Sequence, residues 1–490
     1  MKRIVCLAVL MALVAAVLPA AGGRNPMEKK LATFLDQVIG RIEPLSRSAA
    51  IASYDASISG READYQKSAA LQLELKKIQS DRTQFARLKE FRQSGKIVDP
   101  SLKRQLDLLY LAYLGNQVDE KLLQELVDKQ TAIEQKFNVF RARIGDRTLS
   151  DNEVEATLKS STDGRELEAV WKASKEIGRS VAADMVDLAK TRNRMAKSLG
   201  FADFYEMQLR LAEQDPADIA ALFDELDSLT GDAFRKLKGE MDVALAGRLN
   251  VAVADLRPWH YQNRFFQEAP AVYPVDLDSF YAGRDPVAIA REYYRAIGLP
   301  VDEVLKASDL YEKPGKYQHA FSSDMDRLGD VRILCSVKPN YNWMNTLLHE
   351  LGHGVYSRYH DPAVPWLLRD AANQFTTEAV AMFFGRLAGN PRWLNEEVGV
   401  PPAETAKVAD ACARAQRLEQ LVFSRWAQVM VRFERAMYAD PDQDLNKLWW
   451  DLVEKYQGLR RPENRNEPDW ATKIHIALYP VYYHNYLMGE

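Results

Sequence analysis

The stretch TLLHELGHGVYS, residues 346–357, contains two histidines and a glutamate at a spacing suited to metal chemistry. His349 and His353 are four residues apart, so on a helix both rings project from one face and can bind the same ion. Glu350 lies beside them, where it can take a proton from a metal-bound water. The combination is typical of zinc hydrolases, but the pentapeptide also fits a helix with two hydrogen-bonded histidines.

Two further features of the sequence favour the metal interpretation. None of the seven histidines lies in the first 259 residues, so this residue type is concentrated in the same half of the chain. Gly352 and Gly354 flank the second histidine, although glycine costs a helix roughly 1 kcal/mol relative to alanine. We therefore expect a close backbone approach at these glycines, with a simple helix end as the alternative.

A catalytic zinc ion usually has three protein ligands and one open position for water. The metzincin pattern needs glycine and histidine three and six residues after His353, but Tyr356 and Tyr359 stand there and His360 is out of register. Downstream, RDAANQFTTEAVAMFFGRLA reads as a second helix with Glu378 among apolar residues. Because burial of an unpaired carboxylate is costly, Glu378 is the candidate third ligand, and an exposed helix glutamate is the alternative.

The elements that must position these residues are mainly helical. Apolar residues recur at helical spacing in DPADIAALFDELDSL, where Asp215 is a candidate N-cap and Pro216 the first helical residue, and in several later segments. DVRILCSVKPN instead alternates apolar and polar residues, which predicts a half-buried strand ending at Pro339. A small β element should therefore precede the HELGH helix, whose N-cap is Asn340 or Asn342.

Composition limits the class of protein. Hydrophobic residues make up 47% and charged residues 27% of the 490 residues, as in an ordinary folded protein. The net charge of −4, without a long run of lysine or arginine, argues against a nucleic-acid partner. Of the three cysteines, Cys335 and Cys412 lie in the body of the chain and could form one bridge, which the sequence does not decide.

The N-terminus, MKRIVCLAVLMALVAAVLPAAGG, has the layout of a secretory signal peptide over residues 1–22. A short basic start is followed by an apolar run and a small-residue exit. An uncleaved anchor helix is the alternative, although the run is short for one. No later segment is apolar enough to span a membrane, so we expect an exported protein, periplasmic or extracellular, with no transmembrane segment in the mature chain.

Taken together, these motifs resemble the angiotensin-converting-enzyme family of zinc peptidyl-dipeptidases, family M2, whose third ligand is a glutamate on the helix after the HExxH helix. The spacing from His353 to Glu378 is close to that of the family, and LWWDLVEKYQGLRRPENRNEPDWATKIHIALYPVYYHNY resembles its C-terminal active-site segment. The resemblance is clear from about residue 315 onward, weaker from about 180 through PWHYQNRFFQEAP, and before that is limited to helical character.

The resemblance implies a mainly α fold, in which a large zincin-type peptidase forms two helical lobes around a deep central cleft. A small β-strand element would lie beside the zinc helix. The metallopeptidase would occupy residues 23–490 as a single predominantly helical domain. Family members continue through further helices beyond the position of Glu490, so we expect either a shorter protein or a sequence that is truncated at its C-terminus.

Roles for individual residues follow from the same resemblance. One catalytic Zn²⁺ would be held by His349, His353 and Glu378, with Glu350 as the base that activates water. His475 and Tyr486 match the donors to the tetrahedral oxyanion, a contribution often worth several kcal/mol.

The substrate-binding residues are also implied by the resemblance. Lys473 and Tyr483 match the groups that grip the free carboxylate of the substrate, and Gln262 is the candidate for the family's glutamine at that position, in an uncertain register. His319 and Ala320 match the strand that binds the substrate backbone. The residue types alone allow two interpretations of this segment. A lysine, histidines and tyrosines close together could bind the anionic end of a peptide, or they could form the solvated aromatic edge of a helix.

These features predict an exported zinc-dependent peptidase that removes C-terminal dipeptides from oligopeptides with a free C-terminal carboxylate. An M3-like oligoendopeptidase is the nearest alternative, since it shares HExxH and a later glutamate. Lys473 and the KYQGL segment favour the carboxydipeptidase. A catalytically silent helical peptide-binding protein is a third hypothesis, which zinc content would distinguish.

Overall fold

The computed structural model describes residues 24–490 apart from residues 274 and 318, so the predicted signal peptide lies outside the described residues. The fold is mainly α-helical with a small β element beside the HELGH helix, as predicted. The α-helices of the described residues are α1 (Pro26–Ser59), α2 (Glu62–Gln79), α3 (Arg82–Gln93), α4 (Pro100–Leu114), α5 (Glu120–Val139), α6 (Asp151–Ser160), α7 (Gly164–Lys175), α8 (Ile177–Ser198), α9 (Phe204–Leu211), α10 (Pro216–Leu249), α11 (Asp278–Tyr281), α12 (Pro286–Ala296), α13 (Asp302–Ala307), α14 (Tyr341–Arg358), α15 (Gln374–Leu387), α16 (Pro391–Glu396), α17 (Pro402–Ala439), α18 (Leu445–Leu452), α19 (His475–Leu478) and α20 (Tyr483–Gly489).

Short helical turns of other kinds join these helices. Turns of 3-10 helix occupy Val253–Asp255, Pro258–His260, Trp366–Leu368 and Asp469–Thr472, and a π-helical turn occupies Val453–Gln457. No helix in the described part of the chain is both long and apolar enough to cross a membrane.

Two antiparallel hairpins contain the strands of the described residues. Strand β1 (Ala142–Ile144) pairs with β2 (Arg147–Leu149), and β3 (Phe321–Asp324) pairs with β4 (Val331–Leu334). The predicted strand is therefore present, but it ends before Pro339. Beyond β4 the extended chain pairs with a loop instead, because Cys335 N donates to Asp309 O and Val337 N to Leu310 O.

Capping side chains determine where two important helices begin. Asn340 accepts from Trp343 N at 2.9 Å, so it is the N-cap of α14 rather than Asn342. Asp215 caps α10 in the same way, with Pro216 at the first helical position. Cys335 and Cys412 are both buried free thiols, so the core is not cross-linked between them.

Two large buried clusters form the cores of two lobes. One contains Trp171, Trp426 and Trp470 and includes helices α8, α10 and α17. The other contains Leu348 and Phe384, and so includes α14 and α15. The segment that follows Trp470 belongs to the first core and the HELGH helix to the second, which places the candidate site where the lobes meet.

Candidate active site

Helices α14 and α15 pack closely because glycine stands on both. A Cβ on Gly352 of α14 would lie 2.7 Å from Ala381 Cα, and a Cβ on Gly385 of α15 would lie 3.3 Å from His349 Cβ. The close approach predicted at Gly352 is therefore observed. At Gly354 a Cβ would meet nothing nearer than 3.7 Å, so that glycine does not share the constraint.

This packing brings three potential metal ligands together. His349 Nε2 and His353 Nε2 each lie 3.7 Å from Glu378 Oε2, and one ligand atom from each residue falls within 4.8 Å of the other two. Ligands of a tetrahedral zinc ion bonded at about 2.0–2.1 Å are separated by roughly 3.3 Å. The donor set and its spacing therefore fit one zinc ion with small side-chain adjustment.

The two histidines have the protonation state that metal binding needs. Burial lowers the pKa of His349 to about 4, and burial together with His349 lowers the pKa of His353 to about 3. Both imidazoles are therefore neutral near neutral pH. Thr377 Oγ1 lies 2.7 Å from His353 Nδ1, which fixes the ring and leaves Nε2 to face Glu378.

Glu350 is buried beside the ligands on α14. Burial and the charge of Glu378 raise the pKa of Glu350 to about 8, while the backbone amide of Ser322 in β3 opposes the rise. The β3–β4 hairpin therefore helps to position this carboxyl. Two carboxyls and two neutral imidazoles are thus buried close together. A divalent cation bound by His349, His353 and Glu378 would stabilise the ionised form of both carboxyls.

Helix α20 and the segment before it approach α15 from the other lobe. Tyr482 donates to Glu378 Oε1 at 3.5 Å. The ring of His475 lies 5.4 Å from that of Tyr483, which in turn lies 5.5 Å from the ring of Tyr486. His475, Tyr483 and Tyr486 line one cavity of roughly 310 Å³, so the structure brings these predicted residues together.

Lys473 lies in the same cavity, almost fully buried. Its Nζ donates to Gln267 Oε1 at 2.6 Å and is surrounded by the rings of Phe265, Trp426 and Tyr483, at 5.0 to 5.6 Å. Burial lowers the pKa of Lys473 to about 7, with a smaller contribution from Arg264. A cation with one neutral acceptor among aromatic rings is suited to bind an anionic group.

The structure does not bring Gln262 to Lys473. Gln262 Nε2 donates to Lys159 O at 2.9 Å, and its Oε1 accepts from Ala271 N at 2.7 Å, so this side chain holds the loop that contains it. The amide beside Lys473 belongs to Gln267 instead. The sequence analysis missed Gln267, for which the only signal was a second glutamine five residues further along the same loop.

His319 and Ala320 come directly before β3. Within the described residues β3 pairs only with β4, so its other edge has no strand partner. The side chain of His319 is exposed and Ala320 is half-buried. An unpaired strand edge can bind an extended peptide through its backbone groups.

The comparison with known families identifies the chain at this point. The Peptidase M2 family, described as angiotensin-converting enzyme, matches residues 25–232 and 281–489. The chain belongs to this family. The match extends well into the first 180 residues, where the sequence analysis found only helical character.

Individual relatives are distant. Angiotensin-converting enzyme from Haematobia irritans exigua is 25% identical over 406 residues, 74% of this chain and 65% of that protein. The Rattus norvegicus enzyme is 26% identical over 206 residues, 40% of this chain and 16% of that protein. An inactive angiotensin-converting enzyme-related protein from Caenorhabditis elegans is 22% identical over 333 residues, 64% of this chain and 35% of that protein. The chain thus spans less than two thirds of the length of these relatives.

Proposed function

We propose that this member of the Peptidase M2 family is a zinc-dependent peptidyl-dipeptidase that removes dipeptides from the free C-terminus of oligopeptides. The observation that carries the proposal is the position of Lys473, a buried cation in a cavity that also contains His475 and Tyr486. That cavity adjoins a second one, which is lined by His349, through shared lining residues. A cation that binds the C-terminal carboxylate of a substrate next to a metal site would restrict cleavage to bonds near the free C-terminus.

The metal ligands in this proposal are His349, His353 and Glu378. Zinc bound there would polarise the scissile carbonyl and lower the pKa of a water molecule toward neutrality. The ligands supply two neutral nitrogens and one carboxylate, the set that a catalytic zinc site with an open position requires. Thr377 and Tyr482 would orient His353 and Glu378 from the outer side.

Glu350 would move the proton. A divalent cation bound by the neighbouring ligands would favour the ionised form of Glu350. Its carboxylate would then accept a proton from the attacking water and deliver it to the leaving amine, which needs a base next to the metal ligands. Its burial and its contact with the Ser322 amide hold it in one position between hairpin and helix. A fixed base of this kind contributes typically 10²- to 10⁴-fold to the rate.

His475 and Tyr486 would stabilise the negative charge that develops on the attacked carbonyl oxygen. Both are hydrogen-bond donors from the lobe opposite the zinc helix. His475 Nδ1 is buried without a hydrogen-bond partner among the described residues, and the ring packs against Tyr479 and Tyr483. Donors fixed before the reaction need no reorganisation when charge appears.

Substrate binding would use both ends of the cleft. Lys473, Tyr483 and Gln267 would hold the terminal carboxylate, and the free edge of β3 with His319 and Ala320 would pair with the peptide backbone. Two residues would then lie between the anchor and the reacting bond. Cleavage would release a dipeptide.

Export is a further part of the proposal. Residues 1–22 would direct the chain out of the cytoplasm and be removed, leaving residues 23–490 as a periplasmic or extracellular metallopeptidase domain. N-terminal sequencing of the protein recovered from the periplasm or medium tests this. Recovery of the intact N-terminus in the cytoplasm would contradict it.

The first experiment for the reaction is product analysis by mass spectrometry. An N-blocked peptide with a free or an amidated C-terminus is incubated with the protein, with and without a zinc chelator. We expect dipeptide release from the free acid alone, lost on chelation and restored by zinc. Glu350→Gln is the matched variant, because it should retain stoichiometric zinc while losing at least about 10²-fold in kcat.

Other results would favour the alternatives. Internal cleavage of both peptides would indicate an oligoendopeptidase. No cleavage of either peptide, together with no bound zinc, would indicate a silent peptide-binding protein. The Caenorhabditis elegans relative is named as inactive.

A further inference from the structure

The cavity of Lys473 has a second charged group that the proposed mechanism does not use. Glu419 of α17 lines this cavity and also an adjoining cavity of roughly 720 Å³ that reaches His349. One loop connects the two charges. Gln267 accepts from Lys473 Nζ at 2.6 Å, and Ala269 N donates to Glu419 Oε2 at 2.7 Å.

Glu419 differs from the other acidic groups of this cavity in forming no ion pair. Glu490 pairs with Arg386, and Glu268 pairs with Lys159 at 3.3 Å. Among the described residues no cation lies within ion-pair distance of Glu419, and Lys159 acts on it only from further away. Glu419 is an exposed residue that lines both cavities. Surrounding protein and the charge of Glu268 raise its pKa to about 7. A partly desolvated carboxylate without an ion pair gains free energy when a cation binds next to it.

Lys473 and Glu419 line the same cavity, so a single substrate residue held there would meet both charges. Their hydrogen-bond partners, Gln267 and Ala269, are two residues apart on a bent loop, so the distance between these two Cα atoms is at most about 7 Å. That is of the same order as the reach of an arginine or lysine side chain from its Cα to its charged end. Met382 and Phe423 line the same cavity and would contact the aliphatic stem of such a side chain.

We infer that Glu419 selects arginine or lysine as the C-terminal residue of the substrate. The inference rests on the proposed function, since Lys473 must bind the α-carboxylate of that residue. The substrate end then carries one anion and one cation, and the cavity presents the opposite charges in matching order. A neutral or acidic terminal side chain would leave Glu419 unpaired or repelled.

The test uses N-blocked peptides that differ only in the last residue. Arginine is compared with citrulline, which has nearly the same shape without the charge, and lysine with norleucine. For the wild-type zinc enzyme we expect kcat/KM to be at least about ten-fold higher for each basic peptide. Glu419→Gln keeps an acceptor oxygen for Ala269 N, and it should reduce the ratio of arginine to citrulline toward one.

Glu404→Gln is the matched control on the same helix. Glu404 is exposed, pairs with Lys407 and lines neither cavity, so its substitution should leave the ratio unchanged. An equal kcat/KM for arginine and citrulline in the wild type would overturn the inference. Equal losses for both peptides in Glu419→Gln would also overturn it, because they would assign Glu419 a structural role only.

Binding of product dipeptides separates this inference from the proposed reaction. Calorimetry on the zinc-loaded protein compares Ala-Arg with Ala-citrulline, neither of which requires cleavage. Tighter binding of Ala-Arg that is lost in Glu419→Gln would support the inference even if no peptide were cleaved, in which case the peptidase proposal alone would fail. Equal binding would overturn the inference whether or not the protein is a peptidase.

Discussion

At the scale of single residues, the most unusual group of the candidate site is a buried lysine. Lys473 has one neutral hydrogen-bond acceptor, Gln267, and three aromatic neighbours instead of a carboxylate. Burial disfavours its charged form, which is why its pKa is about 7 rather than near its ordinary value of about 10.4. A bound carboxylate would supply the missing negative charge.

The consequence is a pH-dependent affinity for peptide ends. Below a pH of about 7 Lys473 is cationic before substrate binds, and above it the side chain must gain a proton on binding. We therefore expect the KM for free-acid peptides to rise as the pH increases from about 6 to about 8. Lys473→Met should have a high KM at every pH.

The ratio of the KM of Lys473→Met to that of the wild type isolates the titration of Lys473, because the titration of other groups is common to both proteins. Steady-state kinetics across the pH range should show the advantage of the wild type over Lys473→Met shrinking as pH rises. An advantage that is constant with pH would show that Lys473 stays charged throughout.

At the scale of elements, the metal site depends on how closely two helices pack. Gly352→Ala would place a Cβ 2.7 Å from Ala381 Cα, so α14 and α15 must separate. We expect a loss of about 1–3 kcal/mol in the free energy of unfolding, as for other overpacked sites. Zinc affinity should fall as well, because His353 and Glu378 lie on opposite sides of this contact.

Gly354→Ala is the control in the same helix. Its Cβ would make only ordinary contacts, the nearest at 3.7 Å with Val304, and alanine favours helix by up to about 1 kcal/mol. Chemical denaturation with and without zinc measures both variants. Equal effects of the two substitutions would contradict the packing argument.

The turn between α19 and α20 is held by a buried carboxyl. Val481 has a φ of 57°, a conformation that is strained for a β-branched residue. Its N–H donates to Glu434 Oε1 at 2.9 Å, and Glu434 is 1% exposed. Arg192 donates to the carbonyls of Ile476 and Ala477 on the preceding helix. The two side chains together fix the segment that contains His475.

Burial raises the pKa of Glu434 to about 8, which gives this turn a pH-dependent stability. The unfolded group has a pKa of about 4.3, so the folded state binds more protons between these values and Glu434 contributes less stability as pH rises toward 8. Glu434→Gln keeps an acceptor without titrating. The wild type should therefore lose stability between about pH 5 and about pH 8 through this group, whereas Glu434→Gln should not. We expect the free energy of unfolding of Glu434→Gln minus that of the wild type to increase over this range.

Glu434→Ala distinguishes charge from hydrogen bonding. It leaves Val481 N–H without its acceptor and should lose about 1–3 kcal/mol at every pH in the same denaturation series. If Glu434→Gln and wild type changed in parallel with pH, titration of Glu434 would not contribute to stability.

At the scale of the whole molecule, the site joins the two lobes and is also in contact with the first helix. Tyr54 of α1 donates to Ile333 O in β4 and accepts from Asp309 N. Gly60, at the end of α1, packs against the backbone of Gly315, where any Cβ would overlap. Residues close to the N-terminus of the described chain thus support the hairpin that contacts Glu350.

Because ligands come from two helices, zinc should stabilise the folded state as a whole. At a free zinc concentration 100 times Kd, binding adds about 2.7 kcal/mol to the free energy of unfolding. We expect a chelator to lower Tm by a few degrees and added zinc to restore it. His353→Ala should abolish the response in differential scanning calorimetry, and a zinc-dependent Tm in that variant would contradict the assigned ligands.

The local features of this protein could be predicted from sequence because they depend on neighbouring residues. An asparagine cap for α14 at Asn340 or Asn342, the β4 strand and the common face of His349 and His353 follow from backbone geometry over a few residues. Glu378 was found through its apolar neighbours and the family resemblance. The choice between Asn340 and Asn342 needed only the observed hydrogen bond to Trp343 N.

Features formed between distant segments could not be obtained in this way. Gln267 rather than Gln262 approaches Lys473, and Glu419 faces the same cavity, because a loop, α17 and the segment after Trp470 meet there. The early end of β4 likewise reflects pairing with the loop at Asp309.

The sequence by itself therefore determined the helical class, the ligand-bearing helix and the chemistry that its residue types allow. The tertiary structure decided which side chains face the cleft, that Glu419 forms no ion pair among the described residues and that Lys473 is buried among aromatic rings. Spacing along a helix or strand is fixed by the backbone, whereas contacts between segments hundreds of residues apart depend on the packing of the entire core.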